Sequence, residues 1–185
     1  MMAKRSLTST ALRSLLGGFA LGGAALLAVG QSGAQALGAH NSDAPVSYAA
    51  DRIELQDKQN RVVLSGNVDI SQGGLRMQAG RTTVAFTDQG SLKIQRIDAT
   101  GGVSVVRGSE SAKGDVAIYD FNRRIITLAG NVALRRGGDT LNGGRLVIDL
   151  NSGISSVDGR GGAVSGASTT GGRVTGTFAV PKGGN

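Results

Sequence analysis

From Val62 onward the apolar residues of this chain alternate with polar ones. Val62, Leu64, Val68 and Ile70 share one parity, and so do Ile126, Leu128, Val132 and Leu134. A period of two marks a strand with one buried face. After Gly73-Gly74, Leu75 and Met77 are odd while Val84 and Phe86 are even, and Leu141 against Ile148 and Leu150 repeats the switch. A one-residue change of phase at Gly80 and Gly144 predicts a bulge or sharp bend that keeps the same face inward. Helical periodicity is absent after residue 40, and the Gly-containing stretches at 88–90 and 136–139 predict turns.

The pattern repeats at a fixed offset of 64 residues. Leu64-Ser65-Gly66-Asn67-Val68 is echoed by Leu128-Ala129-Gly130-Asn131-Val132, Gly73-Gly74 by Gly137-Gly138, Gly80-Arg81 by Gly144-Arg145, and Asp51 by Asp115. A weaker half-step places related glycines at 66, 101, 130 and 161, so the unit reads as two short strands. The expected fold class is all-β, a single domain.

The first segment is of another kind. Lys4, Arg5 and Arg13 precede an apolar run over Leu15 to Val29, and Ala34-Gln35-Ala36 supplies the small residues of a signal peptidase site. Residues 1–36 are therefore expected to be a cleaved signal peptide; the other reading is an uncleaved anchor, for which the run is short against the roughly 20 residues a bilayer asks. Cleavage leaves 149 of 185 residues and lowers the net charge from +7 to +4, because three basic and no acidic residues go. The expected organisation is a flexible lead-in over 37–44, a β domain over 45–160, and a Gly/Ser/Thr-rich segment over 161–185 with a last edge strand over 173–180.

Composition removes several classes of chemistry. Cys and Trp are absent and aromatics make up 3% of residues, so the core is aliphatic and an exported chain holds itself without disulfides. His40 is the single histidine; with no second one to share a metal, it reads as an incidental residue of the lead-in. No Ser sits in a nucleophile elbow. Asp51 and Asp115 suggest paired carboxylates, but a repeat supplies equal environments where a hydrolytic pair needs unequal ones, and turn capping is the favoured role. No glycine cluster opens a helix after a strand, as a phosphate loop requires. Basic residues such as Arg123-Arg124 and Arg135-Arg136 lack interleaved aromatics for stacking bases. The expectation is no enzyme, no metal, no cofactor and no nucleic acid.

The ordered series Ala50-Asp51-x-Ile53-x-Leu55, Leu-Ser-Gly-Asn-Val, Met77-x-Ala79-Gly80-Arg81, Gly114-Asp115, Tyr119-Asp120, Leu-Ala-Gly-Asn-Val and Leu141-x-Gly143-Gly144-Arg145 resembles the OstA-like family. The resemblance runs from about Pro45 to Arg160. It implies an open β-jelly-roll of stacked antiparallel strands whose apolar interior receives the acyl chains of lipopolysaccharide. It further implies a periplasmic setting, with partners in an LptC-like inner-membrane protein and the amino-terminal domain of an LptD-like outer-membrane translocon, and head-to-tail self-association. An LptC-like anchored member of the same pathway is the alternative within it. A secreted β-solenoid is the alternative outside it, but would show a tighter repeat of about twenty residues.

Aromatic and aliphatic positions nominate a site. Tyr48 lies two residues after Val46, and Phe121 two after Tyr119, so each pair points to one side of its strand. A tyrosine ring is apolar in body and polar at its tip, which suits either the mouth of a lipid groove or a core position with a satisfied hydroxyl. Val46, Tyr48, Tyr119 and Phe121 are the candidate lining of a lipid path, with Ile53, Leu64, Val68, Phe86, Leu128 and Ile148 beneath them. Exposed edges at Pro45 and at the alternating run Val174, Gly176, Phe178, Val180 are the candidate joints to other chains.

Overall fold

A computed structural model describes residues 40–88, 90–161 and 172–180. The expected signal peptide and most of the Gly/Ser/Thr-rich segment lie outside the described residues. Ten strands, β1 (Ser47–Ala49), β2 (Arg52–Gln56), β3 (Arg61–Gln72), β4 (Leu75–Asp88), β5 (Leu92–Arg107), β6 (Glu110–Asp120), β7 (Ile125–Arg136), β8 (Asp139–Asp149), β9 (Ser155–Asp158) and β10 (Thr175–Thr177), form one antiparallel sheet. The order runs β1-β3-β4-β5-β6-β7-β8-β10, with β2 also on β3 and β9 also on β8. A single short 3-10 turn, Asp57–Gln59, joins β2 to β3.

The expectation of short strands is corrected. Strands β3 to β8 are 11 to 16 residues long, and each crosses the same crease rather than stopping at it. Register shifts fall at Ser65/Val68, Gln78/Arg81, Thr100/Val103, Lys113/Val116 and Ala129/Val132, one after another across the sheet. At each, the odd-numbered strand spends one more residue than its neighbour, which is the arithmetic of a bulge. The extra residues are Gly66-Asn67, Gly101-Gly102 and Gly130-Asn131, all with positive φ. The even-numbered strands answer with Gly80, Gly114 and Gly143, and a Cβ on Gly143 would lie 2.7 Å from the Asp158 carbonyl of β9. The phase changes expected at Gly80 and Gly144 thus belong to one line of bulges.

The crease divides the sheet into two leaves. Leaf one holds residues 52–65, 81–100, 116–129 and 145–158, and leaf two holds 47–49, 68–78, 103–113, 132–143 and 175–177. Their inner faces meet in one core: Leu64, Ile97, Ile126 and Leu146 from leaf one pack in the same cluster as Ile70, Met77, Val105 and Val132 from leaf two. Burying such aliphatic side chains stabilises by roughly 1.5–3 kcal/mol each, which is what holds a sheet bent on itself. Among the described residues the two edges of the sheet do not pair with each other, so the roll is open there. Each edge is a split strand, β1 and β2 on β3, β9 and β10 on β8.

Candidate functional site

The repeated aspartates occupy equivalent places in the two copies. Asp51 sits in the gap between β1 and β2, and Asp115 at the bulge of β6. The Asn67 amide donates to the Asp51 carboxylate at 2.9 Å, and the Asn131 amide donates to that of Asp115 at 3.0 and 3.1 Å. Each Asp therefore holds the left-handed Asn of the neighbouring strand's bulge, a structural job repeated once per copy. Among the described residues no group of three or more His, Asp or Glu is placed to hold a metal ion. None of the described helices is long and apolar enough to cross a membrane.

The inner face supplies the candidate site. At the β1/β2 edge the leaves part around an apolar cavity of about 190 Å³, walled by Val46, Tyr48, Leu55, Val62, Leu64, Ile70, Val84, Phe86, Leu92 and Ile94. Alternation places these side chains: Val62 and Leu64 precede the bulge of β3, Ile70 follows it, and Val84 and Phe86 follow that of β4. Tyr48, Leu55 and Leu92 are exposed at its rim. A concave apolar surface beside exposed apolar residues is a ligand site more often than a packing accident.

Of the residues nominated from sequence, Val46, Tyr48, Leu64 and Phe86 line this cavity. Ile53 is on β2 and 43% exposed, outside the lining. Val68, Leu128 and Ile148 are buried in the packed core. Tyr119 is 2% exposed, so it occupies the second of the two places open to it, a core position with a satisfied hydroxyl; it donates to Gln72 Oε1 at 3.1 Å. Phe121 stacks on it at 4.0 Å between centroids. At the opposite edge a smaller opening lies among Leu134, Thr140, Leu141, Ser155 and Phe178, and the buried core residues lie between the two.

Sequence reading missed Gln72, a buried amide at the end of β3. Its Nε2 donates to the carbonyls of Ser42 at 2.8 Å and Ala44 at 3.0 Å, and its Oε1 accepts from Tyr119 and lies 3.1 Å from His40 Nε2. All four of its bonding positions are used. His40, read as incidental, packs edge-on to Tyr119 at 6.5 Å. Burial lowers its pKa, the bond to Gln72 opposes this, and the Arg107 charge lowers it further. Burial likewise raises the Tyr119 pKa, keeping the phenol a donor. Asp43 pairs with Arg124 at 2.9 Å. No sequence signal marked Gln72, because a lone Gln after a strand ordinarily faces water.

Against known proteins, residues 49–154 match the family described as LptA/(LptD N-terminal domain) LPS transport protein. An uncharacterized protein of Rhizobium meliloti is 30% identical over 121 residues, 62% of this chain; the match spans 64% of that relative's length. The crystal structure of LptH, the LptA homologous periplasmic component of the conserved lipopolysaccharide transport device from Pseudomonas aeruginosa, superposes with a TM-score of 0.66 at 18% identity. It covers 75% of this chain and 98% of LptH, and the likeness is one of fold.

Proposed function

Because the chain belongs to the LptA/LptD N-terminal domain family of LPS transport proteins, we propose that it is a non-enzymatic periplasmic carrier that shelters the acyl chains of lipopolysaccharide between its two leaves. The observation that carries this reading is the apolar cavity between the leaves, with Tyr48, Leu55 and Leu92 exposed at its rim. Each methylene moved from water to such a surface gains about 0.8 kcal/mol, so an acyl chain of roughly a dozen carbons gains on the order of 10 kcal/mol. Val46, Tyr48, Leu64 and Phe86 make the first contacts. Val68, Tyr119, Phe121, Leu128 and Ile148 are reached as the leaves part, and Ile53 guides from the edge.

The same reading assigns the edges. The β1/β2 edge and the β9/β10 edge carry unpaired backbone groups and can each accept a strand from another chain. In this proposal they join an LptC-like inner-membrane protein at one end and an LptD-like outer-membrane domain at the other, directly or through further copies. The leader over 1–36 supports export, and fractionation distinguishes a soluble species starting at Leu37 from an anchored, LptC-like protein.

Photocrosslinking tests the lipid path. A photoreactive side chain at Tyr48 or Phe86 should capture lipopolysaccharide in cells, while Arg61 and Asn67, both outward and exposed, should not. Capture from the outward positions alone would overturn the assignment.

A further inference from the structure

We propose that residues 40–49 are a releasable clasp across the mouth of the roll, latched by Gln72, and that its release admits the ligand to the cavity. The clasp spans both leaves. Gln72, at the end of β3 in leaf two, holds it through the carbonyls of Ser42 and Ala44. Asp43 holds it to Arg124, in the turn between β6 and β7 on the side of leaf one. Gln72 also receives the Tyr119 hydroxyl from leaf one, so a single amide ties the strap and the two leaves together.

The attachment is polar and slight compared with what it covers. β1 makes only three register pairs with β3, and all three of its residues are exposed. The Asp43 carboxylate is 81% exposed, so its ion pair is screened by water. Segments with few buried apolar contacts open locally far below the cost of global unfolding. Yet Val46 and Tyr48 of this segment form one wall of the apolar cavity. Opening the strap therefore removes that wall but leaves the bond between Gln72 and Tyr119, which joins β3 to β6, in place; the leaves part only afterwards, as ligand enters. A carrier needs such a part, because Val46 and Tyr48 stand between solvent and the inner wall made by Leu64, Ile70 and Val84.

This inference rests on the lipid-carrier reading for what enters, but not for whether the strap opens, and two measurements separate the two. Ser47 and Ser71 face each other in register, and opposed antiparallel residues about 4.5–5.5 Å apart at Cα fall within disulfide range. The chain has no other cysteine, so S47C/S71C gives one defined lock. Uptake of a fluorophore-labelled dodecanoate should be about tenfold slower in the oxidised than in the reduced protein, the ratio expected when an opening held by a few weak bonds is blocked. In parallel, hydrogen exchange of amides 42–49 should rise about tenfold in Gln72→Ala, and by less in Asp43→Asn, with amides of β5 to β7 unchanged. Equal and measurable uptake by the oxidised and reduced forms would overturn the clasp, and so would wild-type exchange in both single variants. If the reduced protein takes up no dodecanoate while strap exchange rises as stated, the carrier reading fails and the clasp stands.

Discussion

At the scale of single residues, polar groups inside the roll fall into two sorts. Gln72 and Tyr119 are fully partnered, whereas the Thr82 hydroxyl is buried on β4 with no hydrogen-bond partner. A buried unsatisfied hydroxyl costs about 1–3 kcal/mol. Thr82→Val, which keeps the shape, should raise stability by about 1–2 kcal/mol in chemical denaturation; a loss would show that the hydroxyl is satisfied in solution. His40 carries a second prediction. Its pKa is depressed, so the released strap binds a proton more readily than the docked one, and the docked state loses stability as pH falls from about 6.5 through the native value. The Arg107 charge works in the same direction, and the nearby Asp43-Arg124 pair is mutually compensated. Strap amides should exchange faster at mildly acidic pH than at neutral pH, and His40→Gln should flatten that dependence. A wild-type profile that is already flat would contradict it. Tyr119 illustrates what sequence leaves open: its spacing from Phe121 foretold the shared side, but rim and core positions have the same alternation, and only the opposite leaf decides between them.

The element that defines this fold is the bent strand. Its bend was legible because it needs rare backbone geometry, and Gly-Asn and Gly-Gly supply positive φ cheaply. Asn131 sits at φ 47°, held by Asp115. Asn131→Gly should cost less than Asn131→Val, with a difference of at least about 1 kcal/mol, since a β-branched residue pays the left-handed penalty in full. Similar losses for both would assign the role to the amide's bond rather than to the backbone. Strand length, by contrast, was misjudged from the glycines. A glycine with polar neighbours reads as a chain reversal, and whether it turns the chain or bends it is set by the register of the strands on either side. The pairing of Asp51 with Asn67, sixteen residues on, was invisible for the same reason, although the repeat carried both members in both copies.

For the whole molecule, the two split edges matter most. β10 lies on the Thr140 to Asn142 part of β8, and β9 on the Arg145 to Ile148 part, so the described carboxy-terminal residues continue the sheet. The exposed Phe178 and Val180 follow β10 directly. Deleting Arg173 to Asn185 should weaken self-association or outer-membrane docking, measured by sedimentation and by co-purification, while sparing acyl-chain binding. Unchanged assembly would remove the carboxy-terminal edge from the proposed joints.

What the linear order determined by itself is what depends on local period and local backbone: nearly all-β structure, the inward parity of β3, β4, β7 and β8, the bends at Gly80 and Gly144, and the repeat that carried the family resemblance. Those features are written in neighbouring residues, because alternation and positive φ are properties of a few consecutive positions. Only the tertiary structure decided which of the inward aliphatic residues are packed against the opposite leaf and which face free space. Leu64 and Leu128 are equivalent in the repeat, yet only Leu64 lines the cavity. The difference arises because only the short edge strand β2 lies beyond β3 at Leu64, whereas β8 and then β9 continue the sheet beside β7. An interior position next to an edge has fewer neighbours to fill its space, and nothing in the period of the chain records where a sheet stops.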